Sequence, residues 1–508
     1  MNESPAQSHP STVAHASKTY SKRRTLGVVG YTAAALFLFT GFLLSTSAEW
    51  IYAHFGIISI AQLTEHAPTD GNLENIPSGF VYSFAAQVIL LSFALTLGIF
   101  AFIYAIKKIT KHSKRPRISF LPGIATTLIT VPVLALSGVS FASTVGLSDY
   151  LETRNSDIKM DDYYQKPELI KPLPADKNII LIYLESMDDA FGDPDLIGEN
   201  ALTSLQEVTK DWKSLDRLSH YPSGGWTMPG IVSTHCGLPK RPPESEDIFF
   251  GGALCLGDFL HDAGYKSVWM GGADETFEDK GLFLESHGYD EVLMRSHWEE
   301  LGEDVDTREV WGISDKRLFE LAKDEVIKLR DEGEPFNLSL LTVDDHDPIY
   351  QWPYCPTTSD NATINAVRCQ SDIVADFITF LKDNGFMENS IVVVMGDHSL
   401  HAEAKEAPDY MGKLSPDDRQ NVPVFNRFYS PEPFEFTRTV DNQIHLYPTL
   451  LELLGGELKD GRAGLGVSMV GDQSRAKSQQ TIVGKTTPEV QRILSIPKLP
   501  VGIQIPQK

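Results

Sequence analysis

The sequence predicts an α/β fold, a mostly parallel sheet flanked by helices and preceded by three transmembrane helices. Three observations carry that expectation. Short Val/Ile/Leu runs alternate with helical patterns from about 178 to 456, metal-ligand residue types follow several of those runs directly, and three long apolar segments lie near the amino terminus. The expected organisation is a polar tail over 1–24, a membrane anchor over 25–143 and a charged, proline-bearing linker over 144–177. An external α/β domain over 178–471 and a C-terminal tail over 472–508 complete it.

The apolar segments run over 26–47, 80–106 and 120–143, each long enough for the roughly 20 residues of a bilayer crossing. The first is too long, and followed by too many further spans, to be a cleaved signal peptide. Lys18, Lys22, Arg23 and Arg24 precede it; Lys107, Lys108, Lys111, Lys114, Arg115 and Arg117 separate the second from the third. Positive loops stay cytoplasmic, which puts everything beyond about 145 outside. Pro122 and Pro132 are tolerable in a membrane helix. The formal net charge of −24 argues against nucleic acid as a partner, because phosphate binding needs clustered cations. Cys236, Cys255, Cys355 and Cys369 all fall in the external part, and an even count in an oxidising compartment points to two disulfides. Sequence order favours Cys236–Cys255 and Cys355–Cys369 among three possible pairings, with a zinc cluster as the rival.

Within the external domain, strands are expected over 179–184, 267–270, 336–343, 391–395 and 422–428. Helices are expected over 201–213, 256–263, 314–332, 371–383 and 442–454. Gly264, Gly333 and Gly455-Gly456 close three of them, and Asp441 caps the last. The tail from 472, with Pro497, Pro500 and Pro506, carries no expected element.

The residues suited to chemistry sit at strand ends, where open α/β sheets bind ligands. Glu185 follows the run 178–184, and Gly396-Asp397-His398 follows 390–395. A carboxylate and an imidazole on a tight turn are good ligands for a divalent cation, although an aspartate there can simply cap the turn. Between these runs, Thr227 stands just before Pro229, which can open a helix; by local sequence Thr227 is its N-cap, and Ser223 is a competing hydroxyl. A threonine hydroxyl becomes a nucleophile only when a base or a metal activates it. Glu185, Thr227, Asp397 and His398 together offer three oxygens and one nitrogen, a set suited to Mn²⁺ or Mg²⁺. His346 follows another apolar run and can hold a phosphate or move a proton, while Lys280 can meet the same anion or merely be solvated. Trp226, Trp298, Trp311 and Trp352 suit either sugar stacking or core packing.

The blocks Tyr183-Leu-Glu-Ser186, Gly225-Trp-Thr-Met-Pro-Gly230, Cys236-Gly-Leu-Pro239, Gly288-Tyr-Asp290, Trp311-Gly312 and Gly396-Asp-His398 are informative together. Over about 150–456 the chain resembles the lipoteichoic acid synthase-like, sulfatase-related branch of the alkaline phosphatase superfamily, which includes phosphoglycerol transferases. The resemblance implies a sulfatase/alkaline phosphatase-like fold on the periplasmic side of a bacterial cytoplasmic membrane. It implies Glu185, Asp397 and His398 as metal ligands, Thr227 as ligand and nucleophile, and His346 as the residue on the substrate phosphate. Lys280 stands where lipoteichoic acid synthases carry an arginine, and a lysine supplies charge without a bidentate fork. The implied cofactor is a divalent metal, Mn²⁺ first, with Mg²⁺ or Zn²⁺ as alternatives. The implied activity moves phosphoglycerol from phosphatidylglycerol to a periplasmic glucan or another sugar acceptor through a phospho-threonine. A lipid phosphoethanolamine transferase or a sulfatase-like hydrolase is the runner-up. The C/S-x-P-x-R context of formylglycine sulfatases is absent at Thr227-Met228-Pro229.

Overall fold

Runs of Val, Ile, Leu and Met without polar alternation form strands only where a sheet is covered on both faces, and the computed structural model builds such a sheet. It describes residues 31–52, 60, 78–110, 121–154, 158–496, 500 and 503, apart from 223, 244, 246–247, 304–311, 347–348, 401–407, 409, 415–421 and 477–480. Ser223, Trp311 and the tail 1–24 therefore lie outside the described residues. The chain divides into two compact units, one of residues 1–52 and 78–145, the other of 53–77 and 146–508.

In the first unit, the helices Tyr31–Tyr52 and Val81–Ile106 are long and apolar enough to cross a membrane. The third expected span is a helix, Leu121–Thr144, with Pro132 inside it. Its apolar stretch among the described side chains is Leu128–Thr144, so two of the three expected crossings meet the length and composition of a span among the described residues. Large apolar side chains such as Leu90, Phe102, Leu128 and Leu136 are exposed on these helices. Inside the unit, Thr46 and Ser92 share a hydroxyl hydrogen bond of 2.9 Å and Trp50 Nε1 donates to Ser83 at 2.8 Å.

The second unit holds a six-stranded sheet of β1 (Asn178–Leu184), β2 (Lys266–Gly271), β3 (Glu291–Leu293), β4 (Phe336–Leu341), β5 (Ser390–Gly396) and β6 (Asn426–Tyr429), in the order β3-β2-β4-β1-β5-β6. All neighbours are parallel except β5 and β6. Successive side chains of β1 go to opposite faces. Ile179, Leu181 and Tyr183 join a core with the helices Thr227–Cys236, Leu256–Asp262 and Leu446–Leu453. Ile180, Ile182 and Leu184 join the core under the helices Asp315–Glu332 and Ala362–Asp383.

Several elements depart from expectation for tertiary reasons. The strand β6 covers only the end of 422–428 and runs antiparallel as an edge, while β3 is a short edge with no clear local signal. The helix expected over 201–213 stops at Val208, where Thr209 Oγ1 turns back to the Leu205 carbonyl at 2.6 Å. Asn442, rather than Asp441, caps the turn Gln443–His445 that leads into the helix Leu446–Leu453, its side chain accepting from Ile444 N at 3.2 Å. The tail also folds: Thr486 and Glu489 form a capping box for the helix Thr487–Leu494, and Val490, Ile493 and Leu494 enter the first core. Part of the expected linker joins them, because Leu169–Lys171 pairs with Glu457–Leu458 and Met160 is buried.

Both favoured disulfides are present, Cys236–Cys255 and Cys355–Cys369. His287 lies beside the first pair, but its ring nitrogens meet Asp258 at 2.9 Å and the Phe249 carbonyl at 2.8 Å. With both sulfurs bonded to each other, the zinc alternative there is spent.

Candidate active site

Strand pairing decides where the acidic groups meet. Leu184 of β1 is in register with Gly396 of β5, so Glu185 and Asp397 leave the sheet at one level. Asp397 N donates back to the Leu184 carbonyl at 3.0 Å. Ser186 takes a left-handed conformation, φ 50°, which costs a non-glycine residue on the order of 1 kcal/mol. That turn aims two donors: Ser186 N reaches Asp397 Oδ1 at 3.0 Å and Ser186 Oγ reaches Glu185 Oε1 at 2.7 Å. Gln443 Nε2 clamps the other side, donating to the carbonyls of Gly396 at 2.8 Å and Asp397 at 2.9 Å.

The ligand atoms of Glu185, Asp397 and His398 all lie within 4.8 Å of one another, and all three side chains are buried. His398 Nδ1 donates to the Ser399 carbonyl at 2.8 Å, which leaves Nε2 facing Glu185 Oε1 at 3.4 Å and Asp397 Oδ2 at 3.7 Å. Asp397 Oδ2 is buried and accepts no hydrogen bond from the described residues. Such an orphaned carboxylate oxygen, between a second carboxylate and an imidazole nitrogen, fits a divalent cation.

Electrostatics agree with that fit. Burial pushes the Glu185 carboxyl up, but His346, His398 and the Ser186 hydroxyl outweigh it and hold it at about 2. Asp397 rises to about 7 through burial and the negative charge of Glu185. Burial opposes charging His398, yet Asp397 and Glu185 lift it to about 10. Without a metal, an imidazolium proton thus stands where a cation would neutralise the two carboxylates.

Thr227 comes from another element. Its helix begins at Thr227 itself with Trp226 as the N-cap, which corrects the N-cap reading of the threonine. The hydroxyl is half-buried and donates to Glu185 Oε2 at 3.3 Å. What seats this helix is Gly230: a Cβ there would lie 2.2 Å from the Asp397 carbonyl oxygen. Gly230→Ala should therefore push the helix off the ligand turn. We expect a stability loss of about 1–3 kcal/mol in thermal melts and a fall in turnover of about 10²-fold; an unchanged rate would mean the contact is not needed.

His346 follows β4 on a turn that Asp315 pins, accepting from Val343 N at 2.8 Å and Asp344 N at 3.1 Å. It is half-buried and near enough for its charge to act on Glu185. Lys280 is 3 % exposed and starts the helix Lys280–Ser286. Its ammonium donates to the Phe277 carbonyl at 3.1 Å, and Glu185 acts on it only as a more distant charge. The structure thus brings Thr227 and the three ligand-type residues together, while His346 and Lys280 are linked to Glu185 through charge. Of the four tryptophans, Trp298 is core, its Nε1 donating to the Gly271 carbonyl at 2.9 Å.

Residues with no local signal complete the surroundings. Thr342 Oγ1 accepts from Glu185 N at 2.8 Å and from Gln370 Nε2 at 2.9 Å. His220 is half-buried, its Nδ1 3.1 Å from Ser399 Oγ, and desolvation plus the His398 charge push it down to about 3. Asp345 is buried with neither carboxylate oxygen hydrogen-bonded among the described residues.

A model of the sulfatase family matches residues 177–456, from the start of β1 to the glycines that follow the helix Leu446–Leu453. The chain belongs to the sulfatase family. Its relatives include phosphoglycerol transferase I of Xanthomonas campestris pv. campestris, 29% identical over an alignment of 305 residues that covers 57% of this chain and 42% of that protein. Another is phosphoglycerol transferase I of Escherichia fergusonii, 30% identical over 367 residues, 68% of this chain and 46% of that one. The chain spans about half the length of the curated relatives it matches. Among solved structures, this sulfatase-family chain is similar to the lipoteichoic acid synthase LtaP of Listeria monocytogenes, at 16% identity and TM-score 0.47 over 69% of this chain and 96% of that one. It is also similar to the Streptococcus pyogenes phosphoglycerol transferase GacH, solved with sn-glycerol-1-phosphate, at 15% identity and TM-score 0.41 over 69% and 91%.

Proposed function

We propose that this sulfatase-family chain is a metal-dependent phosphotransferase that moves phosphoglycerol from phosphatidylglycerol to a sugar hydroxyl, on a periplasmic glucan, by way of a phospho-threonine. The observation that carries the reading is the Thr227 hydroxyl 3.3 Å from Glu185 within the Glu185–Asp397–His398 cluster. Those four residues would hold the metal, Mn²⁺ first by donor type, with Mg²⁺ or Zn²⁺ as alternatives. When bound, it supplies Lewis acidity toward the threonine oxygen and a phosphoryl oxygen.

The chain's own groups do the rest. Thr227, oriented by its hydrogen bond to Glu185, gives up its proton to water and its oxygen bonds phosphorus. The bond from phosphorus to diacylglycerol breaks, and the departing oxygen takes a proton from His346. A sugar hydroxyl then returns a proton to His346, bonds phosphorus and releases Thr227, which regains its own proton. Lys280 adds positive charge to the phosphate region. The apolar helices Tyr31–Tyr52 and Val81–Ile106 support a location in the cytoplasmic membrane that holds the donor, and the two disulfides support a periplasmic domain. A multi-pass anchor over 25–143 and a catalytic domain over 178–471 belong to the same proposal.

The test uses the full chain in detergent micelles with Mn²⁺ and head-group-labelled phosphatidylglycerol or phosphatidylethanolamine. Diacylglycerol release and a phosphoglycerol adduct in the intact mass are expected with the first lipid. Turnover of phosphatidylethanolamine alone would instead make the chain a phosphoethanolamine transferase.

A further inference from the structure

We propose that Tyr350, Trp352 and Tyr354 form an aromatic ledge that holds a glucose ring of the acceptor, a few sugar units from the hydroxyl that reacts. The inference deepens the transferase reading and rests on it.

The ledge follows β4 and the turn that bears His346. Tyr350 is 41 % exposed and Tyr354 38 %, and among the described Phe, Tyr and Trp side chains of the second unit only these two are exposed. Trp352 is half-buried beside both. Its ring stands edge-on to Tyr350, with centroids 5.1 Å apart, and nearly parallel to Tyr354 at 5.6 Å. The support is rigid. Pro353 takes the second position of a turn closed by Cys355 N, which donates to the Trp352 carbonyl at 2.9 Å. The disulfide Cys355–Cys369 ties that turn to the helix Ala362–Asp383, and Gln351 Nε2 donates to Thr357 Oγ1 at 2.6 Å.

Hydrogen bonds lead from the ledge to the site. Tyr354 Oη donates to Asp344 Oδ2 at 3.4 Å, and Asp344 N donates to Asp315 Oδ2 at 3.1 Å. Asp344 lies two residues before His346 and two after Thr342, whose Oγ1 accepts from Glu185 N at 2.8 Å. Two residues of chain reach about 7 Å at most, so the Tyr354 hydroxyl lies within roughly 20 Å of Glu185 N. A short run of linked sugar rings covers that span.

The chemistry of the ledge selects its occupant. In β-glucopyranose every hydroxyl is equatorial, so each ring face presents axial C–H groups that lie flat on an aromatic ring. Tyrosine offers that flat apolar face together with a hydroxyl at its edge. The Lys316 ammonium, 5.0 Å from the centroid of the Tyr354 ring, adds a second polar group for sugar hydroxyls. A partner protein fits poorly. The two exposed rings offer on the order of 150 Å² together, against roughly 800 Å² that a stable interface takes from each side. An acyl chain fits no better, because residues 349–360 hold one Leu, Ile or Val side chain, Ile349. Binding a ring remote from the reacting hydroxyl is also how an enzyme holds a polymer in register for reaction.

The test uses the full chain with Mn²⁺ in a detergent without a sugar head group, and a linear β-linked glucose hexasaccharide as probe. Calorimetry reads binding, and label carried from phosphatidylglycerol onto the sugar reads transfer. Tyr350→Ala is expected to weaken binding about 10-fold and to lower kcat/KM for the sugar by a similar factor. Tyr350→Phe keeps the ring and should bind as wild type does. In a ping-pong reaction kcat/KM for phosphatidylglycerol does not contain the acceptor step, so the loss should be confined to the sugar. Wild-type-like binding by Tyr350→Ala and by Tyr354→Leu overturns the ledge. So does an equal loss of kcat/KM for both substrates, the mark of a general structural defect. A wild type that releases diacylglycerol but binds no hexasaccharide overturns the ledge and leaves the transferase reading standing. Binding that weakens in Tyr350→Ala, with no diacylglycerol release even from wild type, supports the sugar site while removing the transferase reading.

Discussion

Thr227→Ala is expected to lower diacylglycerol release from phosphatidylglycerol by about 10⁴-fold or more, the scale on which losing a nucleophile acts, and to leave no phosphoglycerol adduct in the intact mass. The reason is geometric. Thr227 presents its half-buried hydroxyl from the first turn of its helix to Glu185. Removing that oxygen deletes the attacking atom while changing little else, so melting should shift by only about 0.5 kcal/mol. Thr227→Ser keeps the oxygen and loses a methyl group; it should still form the adduct, more slowly. Turnover in the alanine variant within tenfold of wild type would end the phospho-threonine route.

Metal removal carries the second large effect. Chelation should abolish turnover, and Mn²⁺ should restore it; Asp397→Asn should lose both metal and activity. The metal-free cluster binds a proton that the metal-bound one cannot keep, because a histidine ligand must be neutral. His398 is lifted to about 10 by its carboxylate neighbours, and Asp397 to about 7 by burial and Glu185. Between pH 7 and 10 binding must therefore expel about one proton, and affinity should rise about tenfold per pH unit. Below pH 7 a second proton, on Asp397, steepens the loss. Calorimetry in buffers of different ionisation enthalpy counts the protons. A pH-independent affinity would show that His398 Nε2 is not a ligand.

Much of this site is legible in local sequence because its residues sit where strand runs stop. The β1 and β5 runs are apolar on both faces, which marks them as buried parallel strands, and Glu185 and Asp397 are the first polar groups after them. The Ser314 cap and the Gly333 stop bracket the helix Asp315–Glu332 in the same direct way. The tail helix carried a comparable signal in Thr486-Thr-Pro-Glu489, a capping box with proline in the first turn, hidden among prolines and polar residues.

Local pattern alone thus determined that the domain is α/β, that its ligand-type groups lie at strand ends, and which cysteine pairing to favour, because each depends on residues close together in the chain. Only the assembled sheet decided that Leu184 stands opposite Gly396, bringing carboxylates 212 positions apart in the numbering to one level. It also decided that Gly230 docks on the Asp397 carbonyl and that Thr227 faces Glu185 instead of capping its own helix. Those contacts arise from strand order, register and burial. These are properties of the whole packed chain, and no short window of residues contains the partners that set them.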